Sequence, residues 1–193
     1  MWIVIVHIFA VENYQIAIRS YFITKDPFSE WRISGFSIYD SEEKDLLYHI
    51  KSYYYYNEGN IDLSDLSSKQ IIATLTYSFS IFKVKQAKFS ILTLSSNQWI
   101  NGTIENSFPK FHNEYIIKWN EQNILMKTKF LSTLTIFRYE NHSEILATLK
   151  KRVFSSFWRN KYDLQIFSDD LPNVFYFLLL TITDKNDELD SED

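Results

Sequence analysis

The stretch Asp-Asp-Leu-Pro-Asn-Val-Phe-Tyr-Phe-Leu-Leu-Leu-Thr-Ile-Thr-Asp, at positions 169–184, carries the strongest structural signal in the chain. Asp169 or Asp170 can cap a helix, and Pro172 suits its first turn, where no N–H is needed. The residues that follow are apolar on every side, which predicts a helix over 171–183 that other atoms must surround. About a dozen residues are too few to cross a bilayer, which takes about 20. We therefore expect this helix to be buried inside a protein shell.

A second reading of the same stretch is a last β-strand over 175–183, since Thr and Ile favour strands. The cap, the proline and the length of the apolar run favour the helix. Burying its apolar side chains at about 1.5–3 kcal/mol each would rival the whole net stability of a domain. The helix is therefore predicted to be necessary for folding.

Composition places the 193 residues in one globular domain with a substantial core, because 46% are hydrophobic and 18% aromatic. Cysteine is absent, which removes disulfides, thiol nucleophiles and zinc sites that use sulfur. The three glycines stand far apart, so a glycine-rich phosphate loop is excluded. The four histidines show no ligand spacing, and no Gly-x-Ser-x-Gly nucleophile motif occurs. We predict no enzyme activity, no metal site and no cofactor.

The net charge of −4 is concentrated at the C-terminus. Residues 184–193 contain six acids and one lysine, and without them 19 basic residues face 18 acidic ones. This near-neutral body has no general basic field for nucleic acid. The charged end is poor in apolar groups, so we predict a disordered acidic tail over 185–193.

The N-terminal residues 1–13 are mostly apolar. They lack the positive start of a signal peptide and are too short to span a bilayer. We read them as an extension or strand packed on the domain, with a weak signal or anchor as the alternative. No transmembrane segment is predicted.

The body of the chain alternates apolar and polar residues in runs separated by Asn, Asp and Ser, which is the pattern of strands and tight turns. About a dozen antiparallel strands over 14–184 must close or stack to hide their edges. Closure around the apolar helix satisfies both needs, so the predicted fold is a mainly β closed barrel around a buried C-terminal helix. The clearest runs are 36–40, 46–56, 61–63, 70–82, 89–94, 99–108, 115–119, 124–131, 134–139 and 145–154.

Several of these units resemble repeats of the LURP-one-related proteins. The repeated pattern is an aromatic-x-Ile-Tyr-Asp strand, a polar turn and a Leu/Ile-x-x-Ile-Lys strand. The ending, with its last strand, Asp-Asp-Leu-Pro and apolar helix, is similar as well. The matching segments are Phe36-Ser-Ile-Tyr-Asp40, Leu47-Tyr-His-Ile-Lys51, Ile72-Ala-Thr-Leu75, Ile145-Leu-Ala-Thr-Leu-Lys150 and Lys161-Tyr-Asp-Leu-Gln-Ile-Phe167.

The resemblance implies the fold shared by that family, the phospholipid scramblases and the tubby C-terminal domain: twelve strands closed around a central C-terminal helix. It also implies phosphoinositide binding by basic residues on the barrel surface, as in the tubby domain. The chain lacks the cysteines and the Pro-rich segment of the scramblases. We therefore expect a cytoplasmic protein that meets anionic phospholipid headgroups peripherally, without scrambling lipid.

Basic residues supply the candidate site. They occur as i, i+2 pairs on predicted strands, a spacing that turns both members of a pair to one face. If neighbouring strands brought two pairs together, they could hold a phosphate-rich headgroup. The alternatives are an ordinary solvated strand face, a protein-interaction scaffold without a lipid ligand, or an open carrier barrel. The three pairs are Lys83 with Lys85, Lys127 with Lys129, and Lys150 with Arg152.

Overall fold

A computed structural model of the chain describes residues 15–26, 33–55, 58–80, 83–93, 95–107, 113–128, 132–152 and 160–190. Within these residues the chain forms twelve strands and one helix. They are β1 (Arg19–Lys25), β2 (Ile33–Tyr39), β3 (Leu46–Tyr55), β4 (Glu58–Asp65), β5 (Gln70–Ser80), β6 (Lys83–Thr93), β7 (Gln98–Asn106), β8 (Asn113–Trp119), β9 (Gln122–Thr128), β10 (Leu134–Tyr139), β11 (Ile145–Lys151), β12 (Lys161–Ile166) and α1 (Asn173–Asp190).

The strands form one closed antiparallel ring in which each strand pairs with the next along the chain. The ring closes where β1 pairs with β12, with Arg19 opposite Ile166 and Thr24 opposite Lys161. Closure removes the unpaired edges of an open sheet. The predicted mainly β class and the closed antiparallel barrel are confirmed.

Helix α1 lies inside the ring, as predicted. Its residues 175–184 are all buried. Phe175 packs against Phe89 of β6, with ring centroids 5.9 Å apart, and Phe177 packs edge-on against Tyr21 of β1 at 5.0 Å. Tyr176 meets Phe137 of β10 at 5.4 Å. Because these strands come from different sides of the barrel, the helix side chains fill its interior.

The second half of the helix is held by a buried ion pair at Asp184. Lys25 Nζ, at the end of β1, lies 2.6 Å from the Asp184 carboxylate. The Tyr162 hydroxyl and the Asn160 amide donate to the same carboxylate, at 2.5 and 3.0 Å. A buried charge pair is tolerated when hydrogen bonds satisfy its remaining atoms, as they do here.

The bounds of the helix differ from the predicted 171–183. It begins at Asn173, because the Asp169 and Asp170 side chains bind Arg19 and Tyr139 instead of helix N–H groups. At the other end the backbone stays helical to Asp190, over part of the segment predicted to be a disordered tail. No glycine or proline stands between 185 and 190 to stop the helix. The N-terminal segment 1–13 lies outside the described residues.

Candidate functional site

Two of the six predicted cations lie together on the outer face of the barrel. Leu149 points into the core, so alternation along β11 turns Lys150 outward, where it is exposed. Arg152 is the next outward position, and its N–H donates to the carbonyl of Lys161 on β12 at 2.8 Å. Lys150 stands opposite Asp163 on that neighbouring strand. Lys150 and Arg152 therefore share one face beside β12.

The Arg152 side chain is fixed by two carboxylates and one ring. Its Nε and Nη2 donate to Asp163 at 2.9 and 2.6 Å, and Nη2 also donates to Glu43 at 2.9 Å. Its guanidinium carbon lies 4.3 Å from the centroid of the Phe22 ring. The hydrogen bonds to Asp163 raise the pKa of Arg152 above its ordinary value, outweighing the opposite effect of burial. Arg152 therefore stays charged and keeps one orientation.

Two further members of this cluster were not among the predicted site residues. Lys161 stands opposite Thr24 of β1, and its Nζ lies 5.8 Å from the centroid of the same Phe22 ring. Phe22 points outward but is buried, because the two cations cover it. Lys161 is the first residue of β12 and alternates there with Asp163, so it forms no pair of cations within that strand. The position of Lys161 beside Arg152 and Phe22 becomes clear only from the pairing of β12 with β11 and β1. We call Phe22, Lys150, Arg152, Lys161 and Asp163 the Phe22 surface.

A depression of about 330 Å³ opens at this surface. One wall is the β2–β3 turn, which brings Ser41 beside Lys150 and Leu134 and brings Glu43 to Arg152. Hydroxyl and amide groups surround the cations and add hydrogen-bond donors to the charge. The polar neutral residues that line it are Ser20, Ser41, Thr148 and Gln165.

The other predicted cations do not join this cluster. Lys127 on β9 is paired with Glu114 at 2.9 Å, and β10 separates its strand from β11. On β6 the register with β5 shifts so that Lys85 is an extra, bulged residue between Val84 and Gln86, which interrupts simple alternation with Lys83. Two more strands separate β6 from β9. The side chains of Lys83, Lys85 and Lys129 lie outside the described residues.

A Ser, Asp and His cluster on the outer face of β1–β3 has the wrong order for nucleophilic catalysis. Ser37 Oγ donates to Asp26 Oδ1 at 2.8 Å, and His49 Nε2 lies 2.9 Å from Asp26 Oδ2. A catalytic triad needs the histidine between the other two, to take the proton from the hydroxyl. Here the aspartate stands in the middle, so the serine is not activated.

Across the described ranges, no three His, Cys, Asp or Glu side chains are grouped to hold a metal ion. Nor does any helix in that part of the chain have the length and apolar character needed to cross a membrane. No protein-family model, curated protein or solved structure matches this chain. The class of the protein therefore rests on its architecture, a twelve-stranded barrel filled by its own C-terminal helix.

Proposed function

We propose that this protein is a non-enzymatic cytoplasmic barrel that binds anionic phospholipid headgroups, such as phosphoinositides, at its Phe22 surface. The observation that carries the proposal is that Arg152 and Lys161, from two adjacent strands, cover one buried ring, and that Lys150 lines the same depression as that ring. The resemblance to LURP-one-related and tubby domains supports the same direction. Attachment would be peripheral, through the outer face of the barrel.

The chemistry of the cluster suits a phosphate group. Lys150 and Lys161 present ammonium groups, and charge-assisted hydrogen bonds from such groups to phosphate oxygens are about twice as strong as neutral ones. Arg152 is already committed to Asp163 and Glu43, so its role is to hold the two strands and the turn in place. Ser20 and Ser41 line the same depression and can donate further hydrogen bonds.

The filled interior supports an outer site. The helix side chains between Phe175 and Asp184 are buried among residues of the surrounding strands. A carrier barrel keeps an open lumen for its ligand. With α1 in place, a headgroup is expected to bind where the cations are, on the outside.

The sequence that joins β11 to β12 adds a second element. It runs Val-Phe-Ser-Ser-Phe-Trp-Arg over 153–159, with basic residues on both sides. Aromatic residues favour the membrane interface, and flanking cations favour anionic lipid. This segment lies outside the described residues, so its contribution to the proposal is its composition and its position next to Lys150 and Lys161.

Vesicle co-sedimentation tests the proposal. We expect the protein to sediment with phosphatidylcholine vesicles containing phosphatidylinositol bisphosphate and to stay in solution with phosphatidylcholine alone. Each cation near an anionic surface contributes about 1 kcal/mol, so Lys150→Glu with Lys161→Glu should weaken binding by more than about tenfold. Raising the salt from about 0.05 M to about 0.5 M should release the protein as well, since salt screens these charges.

The matched control is Lys69→Glu with Lys88→Glu. Both of these lysines are exposed and lie outside the Phe22 surface, and the change in net charge is the same. If the control lost as much binding as the Phe22-surface variant, the attraction would be a property of net charge and the assigned site would be wrong. Failure of the unmodified protein to sediment with phosphoinositide vesicles at low salt would overturn the proposed function.

A further inference from the structure

The side of the barrel opposite the Phe22 surface carries a larger depression, of about 700 Å³. It crosses β5 to β8, and in the closed ring β6 stands opposite β12. Its walls consist mainly of neutral hydrogen-bonding side chains, with two lysines and one glutamate. The lining side chains on β5 to β8 are Thr74, Thr76, Lys88, Phe89, Ser90, Asn101, Thr103, Lys118 and Trp119, and Gln122 and Asn123 at the start of β9 also line it.

Strand register explains why these polar side chains face outward together. Lys88 of β6 pairs with Thr103 of β7, which pairs with Lys118 of β8, so the three form one row across the barrel. In the next row Ser90 pairs with Asn101. The residues between them along each strand point into the core, which leaves a continuous polar face outside.

An exposed tryptophan borders this polar face. Trp99 precedes Asn101 by two positions on β7, so both side chains point to the same side, about 7 Å apart along the strand. Trp99 remains 47% exposed, whereas the aromatic residues Phe89 and Trp119 beneath the depression are buried. We call the depression together with Trp99 the Trp99 groove. It combines a flat aromatic face with a field of hydrogen-bonding groups.

The groove keeps unused hydrogen-bonding capacity. The Oδ1 atom of Asn101 accepts a hydrogen bond from Ser90 at 2.6 Å, and its Nδ2 has no partner among the described residues. The hydroxyls of Thr74 and Thr103 also have no side-chain partner there. Lys118 is neutralised by Glu105 at 3.2 Å, whereas Lys88 is exposed and makes no ion pair within the described part of the chain.

From this arrangement we infer that the Trp99 groove binds an oligosaccharide that contains an acidic sugar. The apolar face of a pyranose ring packs on an indole, and Trp99 offers one at the edge of the groove. Neighbouring sugar hydroxyls then meet the Asn101 amide and the hydroxyls of Thr74 and Thr103. A sugar carboxylate meets the Lys88 ammonium, because Lys88 is the lysine of the lining that makes no ion pair within the described residues. A few placed polar groups of this kind fix orientation and specificity.

Charge and topology argue against other polymers in the same groove. A nucleic acid requires several unpaired cations, and here one of the two lysines is cancelled by Glu105. An extended peptide commonly adds as a strand to a free sheet edge, and β5 to β8 are paired on both sides. A hydroxyl-rich ligand matches the neutral side chains that remain. The inference does not depend on headgroup binding at the Phe22 surface.

The test is an NMR titration of the full-length protein that follows the Trp99 indole N–H, assigned through Trp99→Ala. The probes are a hexamer of galacturonic acid and the neutral hexamer maltohexaose, each added to about 10 mM, well above a dissociation constant of about 1 mM. We expect the acidic hexamer to shift the Trp99 signal and to bind about two- to fivefold more tightly than the neutral one, as one exposed ion pair allows.

Variants assign the roles of the residues. Trp99→Ala should weaken the acidic hexamer more than about tenfold, as removal of an aromatic anchor does in other interfaces. Lys88→Met should reduce its affinity to that of maltohexaose and leave maltohexaose unchanged. Tyr53→Ala is the matched control, since Tyr53 is an exposed aromatic, 39% accessible, on β3.

Equal loss of binding in Tyr53→Ala and Trp99→Ala would overturn the site. An unshifted Trp99 signal with both hexamers would overturn carbohydrate binding, and equal affinities for the two hexamers would overturn the acidic sugar. All three substitutions are at exposed positions, so we expect each variant to fold normally. Thermal melts of each variant check this.

Discussion

The Phe22 surface and the Trp99 groove lie on opposite sides of one barrel, and they differ in how many of their polar groups already have a partner. At the Phe22 surface several charged groups are already paired with each other: Arg152 donates hydrogen bonds to Asp163 and Glu43. In the Trp99 groove most polar groups are neutral, and several have no partner within the described residues. A ligand at the first surface must compete with built-in acids, whereas a ligand in the second meets open hydrogen-bonding groups.

This difference teaches how each surface should respond to salt. Attraction between exposed charges is largely screened beyond about 10 Å at 0.1 M salt and over shorter distances as the salt rises, so headgroup binding at the Phe22 surface should fall steeply with salt. In the groove only the contact with Lys88 is ionic, and the neutral hydrogen bonds and ring stacking should persist. The common scaffold beneath both surfaces is α1, whose buried aromatic side chains contact residues of β1, β3, β6, β8 and β10.

Deletion of residues 171–183 should have the largest effect on folding and binding, because it removes the buried helix that supports the strands of both surfaces. Each buried apolar side chain of the helix contributes about 1.5–3 kcal/mol, and the sum is comparable to the 5–15 kcal/mol net stability typical of a domain. We expect no cooperative thermal transition and no binding of vesicles or oligosaccharide. Circular dichroism melts measure the first, and the two binding assays measure the second. A cooperative melt with native-like ellipticity would contradict the role of the helix.

Gly102→Ala should affect binding in the Trp99 groove without affecting binding at the Phe22 surface. A Cβ at this position would lie 2.3 Å from Cζ of the buried Phe89 ring and 2.9 Å from the carbonyl oxygen of Lys118. Phe89 packs on Phe175 and cannot move freely, so overpacking should cost about 1–3 kcal/mol of unfolding free energy. We expect chemical denaturation to show this loss, with weaker oligosaccharide binding and unchanged vesicle binding.

The control for that variant is Gln98→Ala, at an exposed position on the same strand. Its unfolding free energy should stay within about 0.5 kcal/mol of the parent, as surface changes usually do. If Gly102→Ala matched this control, the contact between position 102 and Phe89 would not restrict the side chain there.

Tyr176→Phe should have the smallest effect and should touch neither surface. The Tyr176 hydroxyl is buried and has no hydrogen-bond partner among the described residues. Removing it should leave the unfolding free energy unchanged or raise it by about 1 kcal/mol. Burial also raises the pKa of Tyr176 above its ordinary value of about 10, so the folded state favours the neutral form.

The pH dependence follows from that direction. The neutral tyrosine contributes its full stability below about pH 10, and the contribution falls as the pH rises above the pKa of the unfolded chain. Tyr176→Phe should therefore lose less stability between about pH 9 and pH 11 than the parent does. Tyr115→Phe is the contrasting variant, because the Tyr115 hydroxyl donates to the carbonyl of Val84 at 3.2 Å and its loss should cost about 1 kcal/mol. Equal stability changes in the two variants at neutral pH would contradict this account.

Much of the fold could be predicted from the sequence because its strongest signals are local. The apolar run from Val174 to Ile182 requires burial whatever surrounds it, and alternation of apolar and polar residues identifies strands one at a time. The end of the helix was missed for a physical reason. The segment after Asp184 is strongly charged and poor in apolar groups, which predicted disorder, yet the backbone remains helical to Asp190.

The candidate sites were harder to predict because they depend on which strands become neighbours. Spacing along β11 placed Lys150 and Arg152 on one face, but Lys161 and Phe22 join them only through pairing with β12 and β1. The spacing of residues along the chain also does not predict the β-bulge at Lys85 or the carboxylate of Glu114 beside Lys127. The Trp99 groove was missed for the same reason, since neutral residues from five strands form it.

The pairing of β1 with β12 has a consequence for biosynthesis. The contact that fastens the helix joins Lys25 to Asp184, 159 positions apart in the chain, and the helix follows the last strand. A ribosome therefore releases eleven strands before the ring has its closing partner, and the helix that fills the barrel emerges after all twelve strands. Until then the growing chain exposes a free sheet edge and an apolar hollow, both of which invite aggregation. We therefore expect folding to be slow, to be completed after synthesis and to be assisted by chaperones.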